Sequence, residues 1–258
     1  FTIKIMARVI TIWNQKGGVG KSTTCTNLGA YLAALGKHVL LVDLDSQANL
    51  SAGLGIKIAK DQYSIYHVLV SDVEPGALIR KTSIFNLDIL PSSEGLAGAN
   101  VELIGFKNRE LQLKKALGKV RDGYDFVLID CLPSVGILNV NALSASDYVL
   151  VPVQSEYFAL AGLDQLIHVV DLVKKYLNPD LKILGAVVTM FDKRNQLDRD
   201  VLNKLHKNFP GHVFNTVIPR QVSFAESPGF GKSILQHDPG SRGARAYREL
   251  AIEVMNKT

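Results

Sequence analysis

Asn14-Gln15-Lys16-Gly17-Gly18-Val19-Gly20-Lys21-Ser22-Thr23 follows a β-rich run and opens a helical one. A phosphate cradle is built at such a junction. Glycines let successive N–H groups turn inward, and the helix N-terminus adds the positive end of its dipole. Lys21 is then placed to reach β- and γ-phosphates, and the Ser22 hydroxyl to bind Mg²⁺. The ordinary pattern has glycine where this chain has Gln15; here a lysine at 16 and two further glycines follow instead. Chance produces Lys-Gly-Gly-x-Gly-Lys-Ser/Thr in an average chain of this size with a probability on the order of 10⁻⁴. The stretch reads as a nucleotide site.

Two more segments point to the same chemistry. Val39-Leu40-Leu41-Val42-Asp43-Leu44-Asp45 ends an apolar run with two carboxylates, and Phe126-Val127-Leu128-Ile129-Asp130 ends another with one. A carboxylate at a strand's C-terminal tip, beside a phosphate loop, suits Mg²⁺ coordination. Any one of these aspartates alone reads as a turn residue or helix cap. Ligands of open α/β sheets bind outside the carboxyl ends of the strands, so all three motifs are expected on one edge.

Around these motifs, near-continuous apolar runs at 9–13, 39–42, 87–90, 126–129, 148–151, 183–188 and 213–218 alternate with helical patterns. The helical patterns fall at 22–35, 65–69, 108–120, 160–176, 199–207 and 243–255. Runs apolar on both faces are those of parallel strands buried between helices. The fold class expected is α/β: a doubly wound, mostly parallel sheet flanked by helices, of P-loop NTPase type. No internal repeat, low-complexity tract or Gly/Ser/Pro linker interrupts the chain, so 1–258 reads as one domain. The five residues before Met6 read as an appended remnant outside it, too short and too polar for a secretory signal.

The 258 residues are 47% hydrophobic and 21% charged, ample for a sizeable core. No window reaches the ~18 apolar residues of a membrane-spanning helix. Cys25 and Cys131 make no disulfide framework and no zinc spacing with the six histidines, so a cytoplasmic protein with buried, reduced thiols is expected. The formal charge is +5, and residues 193–258, with eleven Lys+Arg against six Asp+Glu, carry the whole excess. A basic segment on an otherwise neutral chain is the footprint of a polyanion partner, or simply a basic solvated surface.

Lys16–Ser22, then Asp43-Leu44-Asp45-Ser46-Gln47, then Ile129-Asp130-Cys131-Leu132-Pro133 resemble the deviant Walker A ATPases, and within them the ParA/Soj-type partition ATPases. The resemblance continues through 152–160, Thr189-Met190-Phe191-Asp192-Lys193-Arg194, Val217-Ile218-Pro219-Arg220 and 238–244, covering nearly everything after Arg8. It implies ATP and Mg²⁺ as cofactors. It also implies that Lys16, Gly17, Gly18, Val19, Gly20, Lys21, Ser22 and Thr23 hold the phosphates, with Met190, Pro219 and Arg220 around the base. Ser22 and Asp130 are implied as magnesium ligands, and Lys16, Lys21 and Asp45 as the catalytic set. Lys16 is the signature lysine that reaches across a sandwich homodimer, and Asp45 orients the attacking water. Arg194, Lys232, Arg242 and Arg245 are the implied contacts to non-specific DNA, and a ParB-like protein the implied stimulator of a slow hydrolysis. The resemblance places the protein in the cytoplasm, on the nucleoid. Departures fall at Ser46 and Leu132, where the family commonly has proline, at Ala161 for glutamate, and at Ser223 for a DNA-contacting arginine.

Two other classes compete with a DNA-partitioning switch. A MinD-like membrane-associated positioning ATPase would need an amphipathic C-terminal anchor. The tail from Tyr247 onward has mixed charge and no Phe or Trp, and is expected to pack back on the domain. A metabolic or cluster-carrying P-loop enzyme would need a substrate or ligand motif, and none stands in the sequence.

Overall fold

The computed structural model describes residues 6–59, 62–156 and 162–258. Seven strands form one sheet: β1 (Arg8–Ile12), β2 (Val39–Leu44), β3 (Arg80–Lys81), β4 (Leu87–Leu90), β5 (Phe126–Cys131), β6 (Tyr148–Gln154) and β7 (Lys182–Thr189). Their order is β3-β4-β2-β5-β1-β6-β7, and every neighbouring pair is parallel except β3–β4 at one edge. Twelve helices are described. The first six are α1 (Lys21–Ala34), α2 (Asn49–Gly53), α3 (Ile65–Val70), α4 (Pro75–Leu78), α5 (Leu96–Glu102) and α6 (Gln112–Gly118). The remainder are α7 (Ile137–Ala145), α8 (Leu163–Tyr176), α9 (Gln196–Asn208), α10 (Ser223–Glu226), α11 (Ile234–His237) and α12 (Arg242–Lys257).

Alternate residues of each central strand enter two separate cores. Ile10, Ile12, Leu41 and Leu128 join the side chains of α1 and α12 on one face. Val9, Trp13, Val42, Val127 and Ile129 meet α3, α5, α6, α7 and α8 on the other. This is why the strands read as unbroken apolar runs. It is the expected doubly wound α/β sheet. α12 packs along α1 through Tyr247, Leu250, Ala251 and Val254, all buried, each large side chain worth about 1.5–3 kcal/mol. The tail therefore folds back as expected, and its apolar face is spent on the core. No helix among the described residues is long and apolar enough to cross a membrane.

The structure corrects two expectations. The run at 213–218 is no strand: one isolated bridge, Ala186 with Val213, ties it to β7, and a second, Phe191 with Pro219, lies just past the ends of both. Phe214 N–H still donates to Ala186 O and Ile218 N–H to Val188 O, but the chain steps away between them. Asn215 and Thr216 turn their amides to the Glu253 carboxylate instead of a neighbouring strand. The helix expected over 108–120 begins with a 3₁₀ turn at Arg109–Leu111 and becomes α-helical only over α6. Residues 1–5 and the start of the helix expected at 160 lie outside the described residues, as does Ala161.

Candidate functional site

β2, β5 and β1 lie side by side, with Asp43 in register with Asp130 and Asp130 with Ile12. The loop leaving β1 and both carboxylate-bearing strand ends thus meet at one edge. Gly18 and Gly20 have φ of +74° and +85°, backbone that side chains rarely adopt, and Gly20 is the residue before α1. No side chain caps α1, and no acidic residue occupies its first turn. Its first N–H groups are left to an anion. Lys21 is almost buried, its ammonium donating to the Lys16 carbonyl at 3.0 Å. Burial lowers its pKa, and Asp130, Cys131 and Asp45 push it back up.

Gly18, Gly20, Lys21, Ser22, Thr23, Asp45 and Met190 face one open cavity of about 600 Å³. Behind it Asp130 is fully buried, and neither of its carboxyl oxygens has a hydrogen-bond partner. A buried polar pair left unmatched is costly unless a ligand completes it, and a hard divalent cation between Asp130 and Ser22 would do so. The donor set fits Mg²⁺. Asp43 is differently employed: Ser51 donates to it from backbone and hydroxyl at 2.9 and 2.6 Å, and Asp45 N–H at 3.1 Å. Asp43 braces the turn that presents Asp45, whose own Oδ1 accepts the Gln47 N–H.

Burial pushes the Asp130 carboxyl up to about 8, and the Asp43 charge adds to it. Asp43 is raised to about 6, again by burial. Between an ordinary 3.8 and these values the folded chain keeps protons the unfolded chain has lost. The stability they contribute is full below pH ~4 and is lost as pH rises through about 6 and then about 8. Without ligand, the melting temperature should fall from pH 4 to pH 8, by up to about 3 °C per unit for each group, the Asp43 share ending near pH 6 and the Asp130 share near pH 8. In Asp130→Asn the fall between pH 6 and pH 8 should flatten; an unchanged slope in differential scanning calorimetry would assign the shift elsewhere.

Next to the phosphate cavity, and sharing Gly20, Thr23 and Met190 with it, lies a second, mostly apolar cavity of about 230 Å³. Ile218, Pro219, Arg220, Phe224 and Tyr247 form its walls, and Phe224 and Tyr247 meet edge to face. Met190 stands at the junction with φ of +55°, a strained conformation for a non-glycine residue. A cavity carrying Lys21, Ser22, Thr23 and Asp45 that adjoins a mostly apolar one is suited to a phosphate chain and a base.

A family model described as an AAA domain matches residues 7–183. The chain is 50% identical over 249 residues to the sporulation initiation inhibitor protein Soj of Bacillus subtilis, covering 96% of this chain and 98% of that protein. It is 45% identical to the chromosome partitioning protein ParA of Myxococcus xanthus, covering 98% and 89%. The chain belongs to the Soj/ParA family of chromosome-partitioning ATPases. Among solved structures it is similar to cobyrinic acid a,c-diamide synthase from Mycobacterium smegmatis with bound ATP analogue and magnesium. That likeness has 39% identity and a TM-score of 0.86 over 97% of this chain and 95% of that one. A putative plasmid partition protein of Borrelia burgdorferi bound to AMPPNP is 26% identical, with a TM-score of 0.81 over 97% and 99%.

In this Soj/ParA-family chain Lys16 is not among the residues lining the phosphate cavity. Its ammonium pairs with Glu156, which also accepts from Gln154, and both partners are roughly half exposed. Arg194, Arg242 and Arg245 come together, with Arg220, around a hollow of about 560 Å³. Arg194 is held there by a two-pronged pair with Asp192. Lys232 does not line this hollow; it follows Gly231, which packs on Gly55. Ser223, one of the departures noted in the sequence, donates to Asp238 at 2.9 Å. Pro219 and Arg220 line both the apolar cavity and the basic hollow, so the two share a wall. Phe224, Tyr247 and Gln221 were not legible as site residues. An aromatic such as Tyr247 in a helical tail looks like core until the fold brings it to α1, and Phe224 and Gln221 lie in a stretch with no motif. Cys25 and Cys131 are buried free thiols, both raised well above the ordinary range by burial.

Proposed function

We propose that the chain is one Mg²⁺-dependent ATPase domain that acts as a slow DNA-partitioning switch in the cytoplasm, on the nucleoid. The observation carrying this is the orphaned Asp130 carboxyl beside an uncapped, glycine-built helix start. Lys21 and the N–H groups of residues 16–23 hold the phosphates; Thr23 meets the α-phosphate where the two cavities join. Ser22 and Asp130 hold the Mg²⁺, which when bound neutralises charge on the phosphate oxygens. Asp45 orients and activates the attacking water. Met190, Pro219 and Arg220 enclose the base.

Lys16 serves the partner's nucleotide in an ATP-dependent sandwich homodimer, for which its outward placement is suited. The dimer binds DNA without sequence preference through Arg194, Arg242 and Arg245, helped by Arg220, with Lys232 as an outlying contact. A ParB-like protein stimulates hydrolysis and so releases the DNA. A slow turnover suits a state that must persist long enough to be read. A MinD-like membrane role is disfavoured because the apolar face of α12 is already buried.

Random duplex DNA should bind only with ATP, and steeply salt-dependently. Three arginines per protomer in a dimer predict a log–log salt slope of about −5, or roughly a 10³-fold loss between 50 and 200 mM salt. Fluorescence anisotropy reads both. Binding indifferent to nucleotide or to salt would contradict the DNA part of the proposal.

A further inference from the structure

Glu253 stands near the end of α12, away from both polar clefts. Its carboxylate accepts the Asn215 N–H at 3.0 Å, the Thr216 N–H at 2.8 Å and the Thr216 hydroxyl. Three donors converge on one ionisable group, and charge-assisted bonds of this kind are roughly twice as strong as neutral ones. The site of this convergence is the outward step in the segment running beside β7. Before the step Phe214 N–H donates to Ala186 O at 2.9 Å; after it Ile218 N–H donates to Val188 O at 2.8 Å. Four residues of the segment thus pass two of β7. The amides in the step have no strand to pair with, and Glu253 supplies their acceptor.

Beyond the step the chain enters the apolar cavity. Ile218 O accepts from Phe191 N–H, Arg220 N–H donates to Phe191 O, and residues 218–220 form the cavity wall. A slip of one residue at the step would turn Pro219 away from the cavity, because neighbouring side chains of extended backbone face opposite sides. The opposite wall comes from the same helix: Tyr247 lines the cavity and its hydroxyl meets Thr24 Oγ1 at 3.1 Å.

We propose that Glu253 is a positioning residue for the base end of the nucleotide, locking the register of the step at 215–217 and hence the wall at 218–220. The inference rests on the nucleotide reading above and adds a residue to it. Tyr247, Leu250 and Val254 hold α12 on α1 by apolar packing, so removing the carboxylate leaves the helix seated.

Binding of Mg-ATP and of magnesium tripolyphosphate, which lacks a base, should be compared by calorimetry in wild type, Glu253→Ala, Glu253→Gln and Thr216→Val. Steady-state ATPase kinetics accompany it. Glu253→Ala should bind Mg-ATP about tenfold more weakly, the loss of charge-assisted bonds at one site. Its KM should rise by a similar factor, its kcat change by less, and its affinity for tripolyphosphate stay at the wild-type value. Glu253→Gln keeps one acceptor oxygen and should recover part of the loss; Thr216→Val should fall between wild type and Glu253→Ala. Wild-type ATP affinity in Glu253→Ala, or equal loss of ATP and tripolyphosphate, would overturn the proposal. If Glu253→Ala does not fold, wild-type KM values in both Glu253→Gln and Thr216→Val overturn it instead. Wild-type protein that took up tripolyphosphate but gained nothing from the base would overturn the nucleotide reading, not the role of Glu253 alone.

Discussion

Asp45→Ala is expected to bind Mg-ATP nearly as tightly as wild type and to hydrolyse it at least about 10²-fold more slowly, the loss typical of a positioned base. Three aspartates crowd this edge, and the structure separates their tasks. Asp43 is consumed by Ser51 and the Asp45 N–H. Asp130 is wholly buried behind the cavity and unmatched. Only Asp45 faces the phosphate cavity from a turn whose geometry it shares with Gln47. Removing its carboxylate costs one local hydrogen bond, about 1 kcal/mol, and leaves the Lys21 and Ser22 grip intact. Single-turnover phosphate release beside calorimetric ATP binding separates the effects. Turnover at the wild-type rate would remove Asp45 from the chemistry, and loss of binding would make it a ligand.

Lys16→Ala is expected to take up nucleotide yet remain a monomer, with turnover lowered by about 10³-fold or more, the scale of a cation supplied in trans. Lys16 contributes two separable groups. Its carbonyl accepts from Lys21, and alanine keeps that carbonyl. Its ammonium lies outside its own phosphate cavity, on Glu156. A half-exposed pair of this kind is worth at most about 1 kcal/mol, so releasing the ammonium toward a partner's phosphates is inexpensive. Light scattering with a non-hydrolysable ATP analogue measures the assembly state. A stable Lys16→Ala dimer would show that the sandwich does not depend on this lysine.

The phosphate end of the site was legible because it is local. Gly18, Gly20, Lys21 and Ser22 are contiguous, and the strand-end aspartates are marked by the apolar runs before them. The sheet was legible for the same reason: strands buried on both faces leave unbroken apolar stretches. The base end is assembled from segments far apart in sequence. Tyr247 reaches it only because α12 returns to α1, and Phe224 comes from the short α10; nothing in their neighbours distinguishes them from core residues. The run at 213–218 has strand composition, yet its middle steps away from β7 and its amides pair with a single distant carboxylate, Glu253. α7 was hidden by its asparagines. Asn139 donates to Leu132 O, and Asn141 donates to Arg109 O while accepting from Leu113 N–H, so these amides are matched on a buried helix, although Asn139 Oδ1 and the Ser144 hydroxyl are left without a partner. Arg194, Arg242 and Arg245 were visible as charge, whereas their meeting with Arg220, and the absence of Lys232 from that hollow, depended on the fold.

The central claim is that residues 16–23, with Asp130 behind them, hold a magnesium–triphosphate. Titration calorimetry of the wild-type chain with ATP, with and without Mg²⁺, tests it directly. Saturable uptake of one nucleotide per chain that strengthens with Mg²⁺, and loses that gain in Asp130→Asn, is the result the account predicts. No heat of binding in the presence of the metal, or binding that Mg²⁺ leaves unchanged, would contradict it.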